Sequence, residues 1–185
     1  MKEKKNIINK KITKSNIIEN FDRNLDIGYE LMSELNLGNL KINQLGYVYK
    51  DIKKQAKILE EKLNLPKFAY LENKPTKYKY RGKETTVQTM IGFSRSLNVQ
   101  IELIQLLNGE CIFKEFIDAG KEGLHHFGIY VEDVDTIVKE YIKKGYKIVH
   151  EGITAGVQKI AYMDTYDDFG VYLEFQQTRK KRNKK

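Results

Sequence analysis

The sequence predicts an α+β fold built from two βαβββ modules, with an N-terminal helical extension. Two observations support this prediction. Segments typical of a strand, a helix and further strands occur twice in the same order, and short stretches of the two halves match at constant offsets. The chain has 185 residues, of which 41% are hydrophobic, so it suffices for one core or for two small modules that share a core. We therefore expect one folded body.

The first segment, residues 1–40, is predicted to be a basic tail followed by a helix from Ser15 to Leu37. Ser15 is a suitable N-cap, apolar residues recur near helical spacing, and Gly38 follows the last turn. Gly28 weakens the case for an unbroken helix. We interpret this helix as a packing or dimerisation arm.

The first module is predicted within residues 41–107. A short apolar strand from Gln44 to Tyr49 precedes a helix that starts at Ile52 and is terminated by Pro66. Further strands are predicted at residues 68–71, 77–81, 85–93 and 99–107. A linking helix within residues 111–120, ended by Gly120, leads to the second module.

The second module is predicted within residues 124–177. It opens at His126 with a strand over 127–131, and a helix over 134–144 follows and is closed by Gly145. The remaining strands are predicted at residues 147–150, 158–163 and 171–177, with an Asp- and Gly-containing turn at 167–170. Residues 178–185 form a basic C-terminal tail.

The internal repeat is visible residue by residue. Residues 44–52 match residues 126–134 at an offset of 82, with a glycine and an aspartate identical. Residues 99–103 match residues 171–175 at an offset of 72, with a glutamate identical. Apolar strands resemble one another by chance, so the shared polar residues are the stronger sign of duplication.

The net charge of +8 is concentrated at the ends of the chain. Residues 1–14 carry +5 and residues 179–185 carry +6, which leaves −3 for the rest. Such terminal runs are typical of solvated tails, and the body shows no basic stripe with interleaved aromatic residues, so no specific nucleic-acid partner is expected. The sequence also lacks an apolar run typical of a membrane span or a signal peptide, and we therefore expect a soluble, cytoplasmic protein. Cys111 is the single cysteine, which excludes an internal disulfide and favours a packed apolar role.

Four polar side chains occupy matching places in the repeat. Glu102 and Glu174 each interrupt an apolar strand, and strand alternation places them on the face opposite their apolar neighbours. Gln44 and His126 stand opposite the apolar residues of the first strands in the same way. Because a buried carboxylate is costly without a counter-charge or a metal, we predict a metal site formed by these four residues. Such oxygen and imidazole donors suit Zn²⁺, Ni²⁺, Co²⁺ or Mn²⁺.

Other polar residues are less informative. His125 alternates to the face opposite His126, which favours a packed or capping role. His150 lies in a predicted strand of the second module and is a candidate to face a substrate. Thr86, Gln88 and Met90 alternate along one strand and are candidates to line a pocket, but the sequence leaves open which of the two faces points inward.

The segment from Gly123 to Asp135 resembles the opening of the second module in glyoxalase I and methylmalonyl-CoA epimerases, two branches of the vicinal oxygen chelate superfamily, which also contains bleomycin resistance proteins and dioxygenases. The segments 44–51 and 101–105 also resemble this group, and the likeness extends over residues 41–177. It implies a cup-shaped mixed sheet that holds one divalent metal ion, with the ligand positions occupied by Gln44, Glu102, His126 and Glu174.

The residues at the ligand positions limit which reactions of the superfamily are expected. Epimerases and many bacterial glyoxalases have histidine where Gln44 stands, while glutamine at that place resembles eukaryotic-type glyoxalase I. An amide oxygen is a serviceable metal ligand, so this departure weakens the epimerase assignment but not the metal site. Extradiol dioxygenases need two histidines and one carboxylate for iron. Only His126 is available at the matching positions, so oxygen chemistry is not expected.

The resemblance implies a glyoxalase- or epimerase-like lyase or isomerase, comparable with lactoylglutathione lyase or methylmalonyl-CoA epimerase. The metal would polarise a carbonyl or thioester oxygen and stabilise the enediolate that forms on proton removal. Glu174 is our first choice of base, with Glu102 as the second carboxylate on the opposite side. The substrate class is a 2-oxo thiol adduct or a CoA thioester, and a homodimer is expected.

A binding protein is the alternative function. The same fold also sequesters antibiotics or other small molecules without a metal, in a cleft between dimeric modules. The four ligand-type residues argue against this alternative.

Overall fold

The computed structural model describes residues 35–96, 98–154 and 157–178. Most of the predicted N-terminal helix lies outside these residues. Its predicted end is wrong, because strand β1 (Leu35–Leu37) pairs antiparallel with strand β2 (Leu40–Ile42). Gly38 has a φ of +59°, and it serves the hairpin turn rather than a helix end. No helix within the described ranges is long and apolar enough to cross a membrane.

The first module contains the predicted elements in the predicted order. They are β3 (Gln44–Val48), α1 (Ile52–Leu63), β4 (Ala69–Glu72), β5 (Thr76–Tyr80), β6 (Lys83–Ser96) and β7 (Val99–Asn108). Helix α1 ends at the left-handed residue Asn64, two residues before Pro66, as expected because the residue before a proline disfavours helical geometry. The linking helix α2 (Ile112–Asp118) follows.

The second module repeats this order. Its elements are β8 (Gly123–Val131), α3 (Val134–Lys143), β9 (Ile148–Gly152), β10 (Val157–Met163), α4 (Tyr166–Phe169) and β11 (Tyr172–Thr178). Strand β8 begins before the predicted opening at His126. The turn predicted at 167–170 belongs to the one-turn helix α4, which Gly170 ends in a left-handed conformation.

The sheet confirms two modules joined into a cup. In the second module the strand order is β8-β11-β10-β9, and in the first it is β3-β7-β6, with both β4 and β5 paired to β6. The modules meet twice, through antiparallel pairs β3–β8 and β5–β9. The mixed sheet therefore curls until eight of its strands form a ring, and β4 adds to the edge of β6.

Two kinds of repeated residue anchor the helices to the sheet. Asp51 and Asp133 cap α1 and α3 by accepting a backbone N–H of the first turn. Gln105 and Gln177, which share the offset of 72, each accept the backbone N–H of the first helical residue at 3.2 Å. The repeat thus extends beyond the matches found in the sequence.

Alternation along the strands separates an outer from an inner face. On the outer face, α1 packs over Ile101 and Leu103 of β7, and α3 packs over Leu173 and Phe175 of β11. On the inner face, the apolar residues of α2 join a third buried cluster that contains residues of both modules. Helix α2 therefore fills part of the cup, and the polar residues that alternate with the outer core face the rest of its interior.

Candidate metal centre

Three of the four predicted ligand positions converge on the inner face. Glu102 of β7, His126 of β8 and Glu174 of β11 each offer one donor atom, and these atoms lie within 4.8 Å of one another. Nε2 of His126 is 3.4 Å from Oε2 of Glu102 and 3.2 Å from Oε2 of Glu174. All three side chains are buried, and His126 is 0% exposed.

Gln44 lies beside this triad but is held by other amides. Its Oε1 accepts a hydrogen bond from Nε2 of Gln176 at 2.7 Å, and its Nε2 donates to Oε1 of Gln100 at 3.0 Å. Gln176 also donates to Oε2 of Glu174 at 2.7 Å. Gln44 is therefore linked to the triad through Gln176, and its role as a ligand stays a prediction.

Gln100 and Gln176 were missed by the sequence analysis, although a signal for them exists. Each stands two residues from a site glutamate, Gln100 before Glu102 and Gln176 after Glu174. A spacing of two places side chains on the same face of a strand. The same rule that predicted the glutamates therefore identifies the amides beside them.

The repeated glycine of each module makes room for the site residue of the other. Gly46 pairs with His126, and a Cβ atom on Gly46 would lie 1.8 to 2.4 Å from three atoms of the imidazole. Gly128 pairs with Gln44, and a Cβ there would lie 2.6 Å from Oε1 of Gln44. Both matching glycines are therefore needed for the same reason: a side chain of the other module approaches the backbone closely at each position.

His125 corrects one expectation. Strand alternation predicts that it points away from His126, but the strand pairing shifts here: Gly46 pairs with His126 and Tyr47 with Leu124. His125 is therefore the extra residue of a β-bulge, which changes the direction of its side chain. Its Nδ1 lies 3.1 Å from Nδ1 of His126.

The predicted packed role of His125 is confirmed. The side chain is 0% exposed and contacts the rings of Phe113, Phe116 and Tyr172, with centroids 4.8 to 5.2 Å apart. Burial, together with the neighbouring charge of His126, holds the pKa of His125 well below its ordinary value.

The electrostatics of the triad favour a bound cation. Burial raises the pKa of Glu102. Burial alone would lower the pKa of His126, but Glu102 and Glu174 outweigh it and raise this pKa to about 9. In the described part of the chain, His126 is the ion-pair partner of both carboxylates. When both carboxylates are ionised, one protonated imidazole leaves one negative charge uncompensated.

Two donor separations in the triad have the length expected around one metal ion. A metal that binds oxygen and nitrogen donors at about 2.1 Å holds neighbouring donors about 3.0 to 3.4 Å apart, depending on whether its geometry is octahedral or tetrahedral. The separations of 3.2 and 3.4 Å from Nε2 of His126 match this range. Nε2 of His126 is buried and lies within ion-pair distance of both carboxylates, which is the position of a metal-binding nitrogen.

A cavity of about 50 Å³ adjoins the two carboxylates. The residues of β6 that line it are Val87, Thr89 and Ile91. These residues form the inward face of β6, so Thr86, Gln88 and Met90 lie on its other face. Other lining residues come from both modules and from α2, and they include Asn73, Tyr78, Phe113, His150, Thr154 and Tyr162.

His150 has the position expected of a residue that faces a substrate. It lines the cavity, is 2% exposed, and its Nδ1 has no hydrogen-bond partner among the described residues. Its ring packs against Tyr78 at 4.7 Å between centroids. Burial lowers the pKa of His150 to about 4. Tyr78 also lines an open groove of about 670 Å³.

Comparisons with known proteins agree with this architecture. The family model described as Glyoxalase/Bleomycin resistance protein/Dioxygenase superfamily matches residues 43–162. Hypothetical protein BH1468 from Bacillus halodurans C-125 aligns with a TM-score of 0.60 at 23% identity, over 77% of this chain and 96% of that one. Among proteins with curated descriptions, none matches the sequence.

Methylmalonyl-CoA epimerases share the fold. The enzyme from Mycobacterium tuberculosis aligns with a TM-score of 0.55 at 15% identity, over 81% of this chain and 97% of that one. A variant of the Streptomyces coelicolor enzyme, in complex with 2-nitronate-propionyl-CoA, aligns with a TM-score of 0.54 at 16% identity, over 73% of this chain and 92% of that one. At these identities the likeness concerns the fold and not the reaction.

Proposed function

This chain belongs to the Glyoxalase/Bleomycin resistance protein/Dioxygenase superfamily, and on that premise we propose that it is a metal-dependent lyase or isomerase that moves a proton next to a carbonyl group. The observation that carries the proposal is the buried triad of Glu102, His126 and Glu174, whose donor atoms converge within 4.8 Å. A protein that only sequestered an apolar ligand would gain nothing from two buried carboxylates.

In this proposal Glu102, His126 and Glu174 hold one divalent ion, with Zn²⁺, Ni²⁺, Co²⁺ or Mn²⁺ as candidates. Gln44 is the fourth ligand of the proposal, and its amide oxygen has to leave Gln176 or share it. When bound, the ion supplies Lewis acidity that polarises a carbonyl or thioester oxygen and makes the adjacent C–H more acidic.

Two carboxylates share the proton transfer. Glu174 is the proposed base, because it lines the cavity and its Oε2 is fixed by the hydrogen bond from Gln176. Glu102 lines the same cavity from β7 and is the second carboxylate, placed to return a proton from another direction. His150 lines the cavity, its Nδ1 has no hydrogen-bond partner among the described residues, and it is the proposed polar contact for a substrate oxygen.

The size of the cavity limits the reacting part of the substrate. A cavity of about 150 Å³ accepts a benzene ring, so the 50 Å³ beside Glu102 and Glu174 accepts only a few heavy atoms. We expect a small 2-oxo or acyl head, with the larger part of a thiol adduct or CoA thioester outside the cavity. The epimerases of this fold act on methylmalonyl-CoA by name, which makes CoA thioesters the first class to test.

The first test is metal content. Untagged protein, purified without chelators, is expected to contain about one divalent ion per chain by mass spectrometry. His126→Ala and Glu102→Ala are expected to lose most of it while remaining folded, because their side chains line the inside of a cup. Gln88→Ala, on the outer face of β6, is the matched control and should keep the metal.

The second test is proton exchange in D₂O. Wild-type protein is expected to incorporate deuterium next to the carbonyl of small 2-oxo thiol adducts or acyl-CoA thioesters. Glu174→Gln should keep more metal than the alanine variants, because the amide retains an oxygen ligand, yet it should lose exchange because the base is gone. A wild-type protein that binds no divalent ion at micromolar concentration would overturn the enzyme proposal and leave metal-free sequestration in its place.

Oligomeric state is a separate proposal. We propose a homodimer, as the resemblance to the superfamily suggests. Light scattering should then give a mass near twice the 21.7 kDa of one chain. Particles of monomer mass alone would contradict it.

A further inference from the structure

The β-bulge at His125 brings two buried imidazoles together. Nδ1 of His125 and Nδ1 of His126 are 3.1 Å apart, a distance at which one nitrogen must donate and the other accept. Regular alternation would have placed these rings on opposite faces of β8, so this contact depends on the extra residue.

The direction of this hydrogen bond follows from the triad. Nε2 of His126 faces the carboxylates of Glu102 and Glu174, so Nε2 is the nitrogen that would bind a metal. A neutral imidazole that binds through Nε2 carries its proton on Nδ1. The acceptor within reach of that proton is Nδ1 of His125.

The surroundings of His125 argue against a purely structural role. Its cage is formed by the rings of Phe113, Phe116 and Tyr172, in which phenylalanine would pack without a polar atom. Its ring is buried and also interacts with the backbone of Ile112. Burying an imidazole costs desolvation free energy that burying a phenyl ring does not.

We propose that His125 is a positioning residue: it accepts the Nδ1–H of His126, fixes the tautomer and ring orientation of His126, and thereby presents Nε2 to the metal. This inference rests on the proposed metal-dependent function. It adds a partner beyond the direct ligands, and such partners influence metal affinity through the ligand they orient.

Three variants separate positioning from packing. His125→Phe removes the acceptor and keeps an aromatic ring in the cage, so the metal-free protein should remain folded, while Co²⁺ and Zn²⁺ affinity falls by about 10- to 100-fold. His125→Asn offers an amide oxygen as acceptor and should recover part of that affinity despite poorer packing. Tyr172→Phe changes the same cage without touching the hydrogen bond, and should bind metal like the wild type.

The hydrogen-bond direction can be read directly. The chain has three histidines, so long-range ¹H–¹⁵N spectra of protein labelled at histidine nitrogen contain three ring systems, and His125→Phe assigns one of them. In the Zn²⁺-loaded wild type, the proton of His126 should be on Nδ1 and that of His125 on Nε2.

The outcomes are distinct from those of the proposed function. If Zn²⁺ binds but the proton of His126 is on Nε2, or if His125→Phe binds Zn²⁺ and Co²⁺ as tightly as the wild type, the inference is overturned alone. If the tautomers and affinities are as expected but no deuterium exchange occurs, the inference stands and the proposed reaction fails. If the wild type binds neither metal, both are overturned.

Discussion

Replacing Gly46 with alanine is expected to damage the candidate site more than any comparable change in the sheet. The new methyl carbon would lie 1.8 Å from Cε1, 2.0 Å from Nε2 and 2.4 Å from Nδ1 of His126. Non-bonded heavy atoms prefer about 3.5 to 4.0 Å, so the imidazole has to move by about 1.5 Å or more. Such a shift breaks both the 3.1 Å contact with His125 and the approach to the carboxylates.

The magnitude combines two opposing effects. Overpacking a well-packed site costs about 1 to 3 kcal/mol. Replacing glycine with alanine reduces the entropy of the unfolded chain and returns about 0.4 to 1 kcal/mol. We therefore expect Gly46→Ala to lower the free energy of unfolding by about 1 to 2 kcal/mol, together with a loss of metal affinity of about tenfold or more.

Two other glycines calibrate this prediction. Gly128→Ala should have a smaller effect, because its nearest contacts, 2.6 Å to Oε1 and 2.8 Å to Cβ of Gln44, are longer than those at Gly46. Gly92→Ala is the control, since its nearest neighbour is the ring of Tyr70 at 3.2 Å, which is partly exposed and can move.

The assay has two parts. Urea unfolding in the presence of a chelator measures the stability of the metal-free fold, and Zn²⁺ titration against a competing chromophoric chelator measures affinity. If Gly46→Ala has the stability and the Zn²⁺ affinity of Gly92→Ala, the imidazole of His126 does not lie across β3, and the account of the repeated glycines is wrong.

Three further predictions concern titrating groups. Zn²⁺ must displace the proton of His126, whose pKa is about 9, so apparent affinity should rise about tenfold per pH unit up to that pH in a chelator competition, whereas a flat profile would contradict the site. Cys111 is 1% exposed and burial raises its pKa to about 11, so Ellman's reagent at pH 8 should modify it only after unfolding. Arg81 donates hydrogen bonds to both oxygens of Glu115 at 2.7 and 3.0 Å and lowers the pKa of this carboxylate. The stabilisation is present above the ordinary glutamate pKa of about 4.3 and is lost as pH falls. In urea unfolding, Glu115→Gln should therefore cost about 1 kcal/mol at pH 7 and little at pH 3.

The fold could be predicted because the chain repeats itself. The apolar periodicity of strands and helices predicts the elements from residue 44 onward. The helices also end close to the expected stops, which lie near Asn64, Gly120 and Gly145. The error at Leu35–Leu37 has a physical cause. Three apolar or neutral residues before a glycine satisfy a helix ending and a hairpin turn equally well, and the pairing with β2 decides between them.

The site could be predicted only in part, because alternation determines a face but not a distance. Glu102 and Glu174 were assigned to the inner face by this rule, and the structure brings both to His126. The rule failed at His125, since a β-bulge inserts one residue and reverses the expected direction. Nothing in one strand reveals a bulge, because the shift exists only relative to the strand it pairs with.

The two copies agree in the residues that cap helices and clear space, and they differ at the start of the repeat. The residues that match between the modules are those that cap the helices and clear space across the interface, Asp51 with Asp133 and Gly46 with Gly128. The pair at the start of each repeat differs: Asn43 and Gln44 in the first copy stand where His125 and His126 stand in the second.

Because of this difference, Asn43 and His125 have different roles. Asn43 accepts the backbone N–H of Tyr130 at 2.8 Å and so serves the joint between the modules, while its counterpart His125 contacts the imidazole of His126. A perfectly symmetric duplication would place two identical amide or imidazole pairs around the twofold axis. One imidazole pair, one amide pair and two glutamates instead give the site two chemically unlike sides.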